Sequence, residues 1–210
     1  MRRTLLLPAA LAAAFALGAC EGAATGPDGG SNNGLSADDV QALASETGDQ
    51  DGAFLDGFGG PSFNKLPAGP ALATTVTTTF TRTRTCPQGG SVKLEGTATH
   101  TADPATKTGS ASFSATRTES ACVFGRNGKT ITINGNPNTQ LASSQSWTNG
   151  VPGVRTATKK GSFTWSTSEG KSGTCTVDVT ATWTPATHTL HVVGTFCNRT
   201  VDVTRTWTQT

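Results

Sequence analysis

Four arginines stand out by where they fall in alternating stretches of the chain. Arg82 and Arg84 share strand parity with Val76 and Phe80, Arg117 with Phe113, and Arg205 with Val203 and Trp207. They continue an apolar face instead of lying opposite it. A sheet that curls around such a face is apolar at one end and cationic at the other, which suits an amphipathic anion such as a fatty acid or lipid. The competing reading is that these are strand-end side chains whose stems cover the core while their heads reach water. Other chemistries find less support. Asp178 and Asp202 sit on alternating strands, and a glycosidase needs two carboxylates across a cleft; both lie on Thr-rich faces, where solvated positions are the simpler reading. His188 and His191 have opposite strand parity and His100 sits near a turn, so a zinc site built from them is forced. No GxSxG, HExxH, P-loop or GxGxxG pattern occurs. The expectation is a protein that binds without catalysis and needs no metal or cofactor.

The elements that carry these residues read as β from about residue 72. GSVKLEGTATH puts Val92, Leu94, Gly96 and Ala98 on one face, and TCTVDVTATW does the same for Cys175, Val177, Val179, Ala181 and Trp183. TVDVTRTW alternates likewise. Strict alternation over such lengths predicts half-buried antiparallel strands. Asn127-Gly128 and Asn149-Gly150 mark tight turns. Two stretches look like copies, each with a Pro-Ala-Thr turn and bounding cysteines, so two tandem units are expected at about 72–145 and 155–210. The fold class is therefore all-β: an antiparallel meander of about 8–10 strands, as a barrel or a strongly curved sheet. Trp147, Trp165, Trp183 and Trp207 read as core more readily than as a ligand platform, and the absence of Tyr is unusual for a carbohydrate surface. The Thr-rich faces resemble ice-binding or adhesive surfaces, with ladders interrupted by charge.

Strand register suggests how four of the five cysteines pair. Taking the second hairpin as symmetric about Ala186, Trp183 faces Thr189, Val179 faces Val193 and Cys175 falls opposite Cys197. Matching Leu94 to Phe113 and Val92 to Ala115 puts residue 121 opposite Cys86, one short of Cys122, which a bulge absorbs. The expected bridges are Cys86–Cys122 and Cys175–Cys197. Four cysteines allow three connectivities, and with no CxxC pair present a metal cluster is the weaker reading.

The fifth cysteine belongs to the start of the chain. Met1-Arg2-Arg3 precedes an apolar run from Leu5 to Ala16, the layout of a secretory signal and too short to span a membrane. LGAC, residues 17–20, resembles the lipobox of bacterial lipoproteins. The resemblance covers this signal alone. It implies cleavage after residue 19, acylation of Cys20, and a membrane partnership through that lipid. Glu21, in place of Asp, implies export to the outer membrane, facing the periplasm or the surface. Two or more acyl chains anchor stably where one barely does. An oxidising compartment also favours the two disulfides.

Between anchor and sheet, residues 20–70 read as a flexible acidic tether carrying one short helix over 37–46, capped by Ser36 with Asp39 three residues on. Ten residues is marginal for an isolated helix, so it either docks on the domain or flickers. FLDGFGGPSF, with Phe54, Leu55, Phe58 and Phe63, reads as an irregular segment lying on the domain edge. Glu21 to Pro70 carries eight acidic residues and one basic; Ala71 to Thr210 carries thirteen basic and six acidic. A tail folding back on the body is one consequence of that split. The basic residues are scattered, and no nucleic-acid partner is expected. The sequence thus leads to a lipid-anchored envelope protein, not an enzyme, that binds a ligand or protein partner. The alternative is a structural surface lipoprotein without a small ligand, and the weakest is a hydrolase of envelope polymer.

Overall fold

The computed structural model describes residues 34–55, 73–126, 128–135 and 138–206. The signal, Cys20, residues 21–33 of the tether, residues 56–63 of the irregular segment, Asn127 and Trp207 lie outside those residues. Among the described residues one α-helix, α1 (Ala37–Leu55), precedes ten strands. They are β1 (Thr74–Thr85), β2 (Ser91–Asp103), β3 (Thr108–Ser120), β4 (Cys122–Arg126), β5 (Lys129–Asn134), β6 (Thr139–Thr148), β7 (Val151–Thr167), β8 (Ser172–Thr184), β9 (Thr189–Phe196) and β10 (Arg199–Thr206). All are antiparallel and join one sheet, in the order β1-β2-β3-β6-β7-β8-β9-β10. The long β7 makes room for the remaining two: its first part pairs with β6, and Thr164–Thr167 pairs with β5, which in turn pairs with β4. The sheet is open, with β1 and β10 at its ends among the described residues, so the curved-sheet form of the expectation holds and the closed barrel does not.

The alternation read from the sequence decides the two faces. Val92, Leu94, Ala98, Phe113, Phe163, Trp165, Val177, Val179 and Trp183 are buried on the inner face. Both disulfides form as expected, with Cα–Cα distances of 5.4 Å for Cys86–Cys122 and 4.3 Å for Cys175–Cys197. Asn149 and Gly150 take φ of 53° and 78°, the positive pair that a two-residue hairpin turn with the right twist requires.

Two registers differ from the sequence reading. β2 and β3 pair Leu94 with Arg117 and Val92 with Glu119, four residues from the expected match. The cause is a short turn at residues 104–107, fixed by Asp103 Oδ1 accepting the Ala105 and Thr106 N–H groups at 2.9 and 3.3 Å. A slip of four preserves parity, so the faces were read correctly. β8 and β9 pair Trp183 with Leu190 and Val179 with Gly194, one residue from the symmetric hairpin. A 3-10 turn over Pro185–Thr187 plus His188 at φ 50° makes the loop four residues long. Leu190 and Val192, not Thr189 and Val193, therefore face inward. Gly194 sits at φ 137° where a Cβ would strike the Asp178 carbonyl, so only glycine allows β9 that close to β8.

α1 packs on the inner face. Ser36 and Asp39 form the expected reciprocal cap, Asp39 N–H donating to Ser36 Oγ and Ser36 N–H to Asp39 Oδ2, each at 3.2 Å. Leu35, Val40, Leu43 and Ala44 join the core cluster with Val92, Leu94, Leu141 and Phe163. The helix does not stop at residue 46 but runs to Leu55. Gly48 costs helix propensity, roughly 1 kcal/mol, yet it is buried, and the turn beyond it carries side chains that grip the sheet. Tertiary packing overrides the local break.

Candidate functional site

The stripe Leu43, Thr47, Asp51 follows helical i, i+4 spacing down the buried side of α1. Its apolar half packs on the core, and Asp51 lands on two cations of the sheet. Arg117 in β3 brings Nε to 2.9 Å of Asp51 Oδ1, and Lys159 in β7 donates from Nζ to Asp51 Oδ2 at 2.8 Å. Arg117 Nη2 donates to Gln50 Oε1 at 2.7 Å, and Nη1 donates to Glu119, two residues along β3. Asp51, Arg117 and Glu119 side chains are 0% exposed and Lys159 is 4% exposed, so four charges that sum to zero are shut from water. Glu119 Oε2 and Thr139 Oγ1 are buried nearby without a hydrogen-bond partner among the described residues. Burial pushes Lys159 below the usual lysine range; Asp51 opposes that shift and Arg117 adds to it.

A second contact holds the start of α1. Lys129 in β5 donates to Asp39 Oδ2 at 2.9 Å. Burial raises the Asp39 pKa, but hydrogen bonds from Lys129 and Ser36 outweigh it, and the net shift is downward.

The four arginines singled out in the sequence share the inner face but not one place. Arg82 lies opposite Leu94, which lies opposite Arg117, so Arg82 and Arg117 stand in one row two strands apart. Arg84 is in the next row, across Val92 from Glu119. Arg205 is on β10 at the far end of the sheet, opposite Leu190. Arg117, expected as a ligand-facing cation, is instead spent inside the protein on Asp51, Glu119 and Gln50. Nor does the Arg117 head reach water, since its side chain is 0% exposed. Sequence reasoning missed Asp51, Glu119 and Lys159. A signal existed for two of them: Glu119 keeps the parity of Phe113 and Ala115, and Lys159 that of Ala157 and Phe163. Asp51 was read as part of the tether.

The other expected positions resolve simply. Asp178 and Asp202 are exposed on the outer face, and neither flanks a cleft with the other; Asp178 pairs with Lys160 at 3.2 Å and Asp202 with His191 at 3.0 Å. His188 closes the 3-10 turn edge-on to Trp183. Trp165 and Trp183 are core, and Trp147 is half-buried.

The outer face has its own order. Thr79, Thr97, Ser114, Ala142, Thr158 and Thr180 form one row across β1, β2, β3, β6, β7 and β8. Thr77, Thr99, Ser112, Ser144, Thr156 and Thr182 form the next. Every position but Ala142 carries a hydroxyl, and charge does not interrupt these two ladders. The sequence read the ladders as broken because charges such as Glu95 and Lys160 fall in the neighbouring row. A shallow depression of about 330 Å³ lies at the centre of the two rows.

These features define a class: a single open antiparallel sheet, one face partly covered by an ion-paired helix and the other a field of hydroxyls. No protein-family model matches the chain, and neither a curated protein nor a solved structure matches it.

Proposed function

We propose that this protein is a lipid-anchored, non-enzymatic envelope protein that engages a polar, uncharged envelope partner through its outer face. The observation that carries this reading is the pair of hydroxyl ladders running across six strands with one gap, at Ala142. Each Ser or Thr offers one donor and two acceptor lone pairs on a side chain that is cheap to order. The hydroxyls repeat at roughly 4.8 Å across strands and ~6.7 Å along them. Adjacent strands rotate by about 20–25°, so across six strands the face turns through roughly 100° or more. A twist of that size disfavours a match to a flat crystalline lattice such as ice and favours a flexible chain that follows the surface. No tryptophan or tyrosine stands in the ladders to act as an anchor, so single contacts are weak. Many copies held on one membrane raise the effective concentration and supply the avidity.

The test displays the protein through its anchor on vesicles and measures retention on isolated envelope material. Ser112→Lys with Ser144→Lys puts two long charged side chains into the central depression. Retention should fall to background. Unchanged retention would remove the outer face as the site.

A further inference from the structure

The inner face is apolar along Leu94, Phe113, Leu141, Val177 and Val179, all buried. Take α1 away in thought and that floor keeps Arg117, Lys159 and Glu119, a net charge of +1. α1 meets it with Asp51, whose two oxygens go to the two cations, and with an apolar stripe that covers the floor, while Asp39 at the other end of the helix holds Lys129. Over Arg117, Lys159 and the apolar floor, the helix therefore lies as a molecule with an anionic head and a long apolar body would, and its Asp39–Lys129 contact is released when it leaves. Stability alone does not account for the arrangement: a buried charge network is commonly no better than well-packed apolar side chains of the same size, and its best-attested use is to set register or a switch.

We propose that the trough under α1 is a binding site for an amphipathic monoanion of the fatty-acid type, and that α1 is its resident occupant. The ligand's head replaces the Asp51 carboxylate between Arg117 and Lys159, its tail replaces the stripe of Leu35, Val40, Leu43 and Ala44, and the helix leaves the sheet. Ligand and helix compete, because they use the same two cations. This site lies on the opposite face from the hydroxyl ladders and stands or falls independently of them.

The probe is decanoate, with decanol and decyltrimethylammonium as head-group controls, on the full chain with both disulfides intact. In the unaltered protein, decanoate should speed amide hydrogen exchange over residues 37–55 while leaving β6 to β8 protected, and decanol should not. Asp51→Asn removes the competing anion but keeps the shape. Decanoate should raise the unfolding temperature of this variant more than that of the unaltered protein. Adding Lys159→Met, which removes the excess cation, should abolish that gain. If Asp51→Asn alone does not fold, Asp51→Asn with Lys159→Met supplies the comparison: decanoate should act on the unaltered protein and not on the double variant. Equal responses to decanoate and decanol, or no change in exchange over 37–55, would overturn the proposal.

Discussion

Asp51→Asn strands a lysine, and its cost can be worked through. Arg117 keeps Glu119 and Gln50 after the change. Lys159 loses the carboxylate 2.8 Å from its ammonium in a site it cannot leave. Breaking a buried ion pair by removing one partner costs about 3–5 kcal/mol. The lysine has one escape, which is to fold as the neutral amine. Neutralising it at pH 7, against an ordinary lysine pKa near 10.4, costs roughly 4–5 kcal/mol, and at pH 9 about 2. The deficit is therefore capped near 4–5 kcal/mol at pH 7 and near 2 at pH 9. The sign follows from proton counts. Folded Lys159 titrates below its unfolded value, so in that window the unfolded chain binds more protons and stability rises with pH. Urea unfolding followed by the fluorescence of buried Trp165 and Trp183 at the two pH values measures both numbers. A loss below about 1 kcal/mol at pH 7, with no recovery at pH 9, would refute the claim that Asp51 holds a charged Lys159. Lys159→Met added to Asp51→Asn should restore most of the loss at pH 7.

Two further outcomes follow from the same structure. Replacing either cystine by a pair of alanines releases a loop closed across 36 or 22 residues, and each should cost roughly 3–4 kcal/mol in the chain-entropy account, read as a lower urea midpoint. Asp39 is held below its ordinary value, so its contribution is present above the usual carboxylate range and lost as pH falls through the depressed folded value; Asp39→Asn should flatten the acid limb of a stability-against-pH curve, and an unchanged limb would dismiss the Asp39–Lys129 contact as a stabilising one.

The β class, the strand faces outside β9, the tight turn at Asn149-Gly150 and both cystines were legible because they rest on a period of two, on local turn chemistry and on cysteines that flank hairpins. These are properties of neighbouring residues. A reading wrong by four residues in the β2–β3 register still put Val92 and Leu94 inside, since even slips preserve parity. The single-residue error at β8–β9 did not, and it placed Thr189 and Val193 where Leu190 and Val192 belong.

What the chain could not disclose by local pattern is what faces what across long separations. Asp51 meets Lys159 across 108 positions and Arg117 across 66, and no local pattern links them. The length of α1 was hidden for the same reason: Gly48 breaks it locally, and the sheet it packs against restores it. The hydroxyl rows were equally hidden, because their members come from six strands and align only once every register is set. By itself, then, the sequence determined the strand-forming text and, outside β9, the inner and outer parity, and it brought the right cysteines together although both hairpin registers were off. Only the tertiary structure decided that the acidic helix is a buried part of the fold and that Arg117 is spent inside it, because desolvated charges must find partners wherever the fold brings them together.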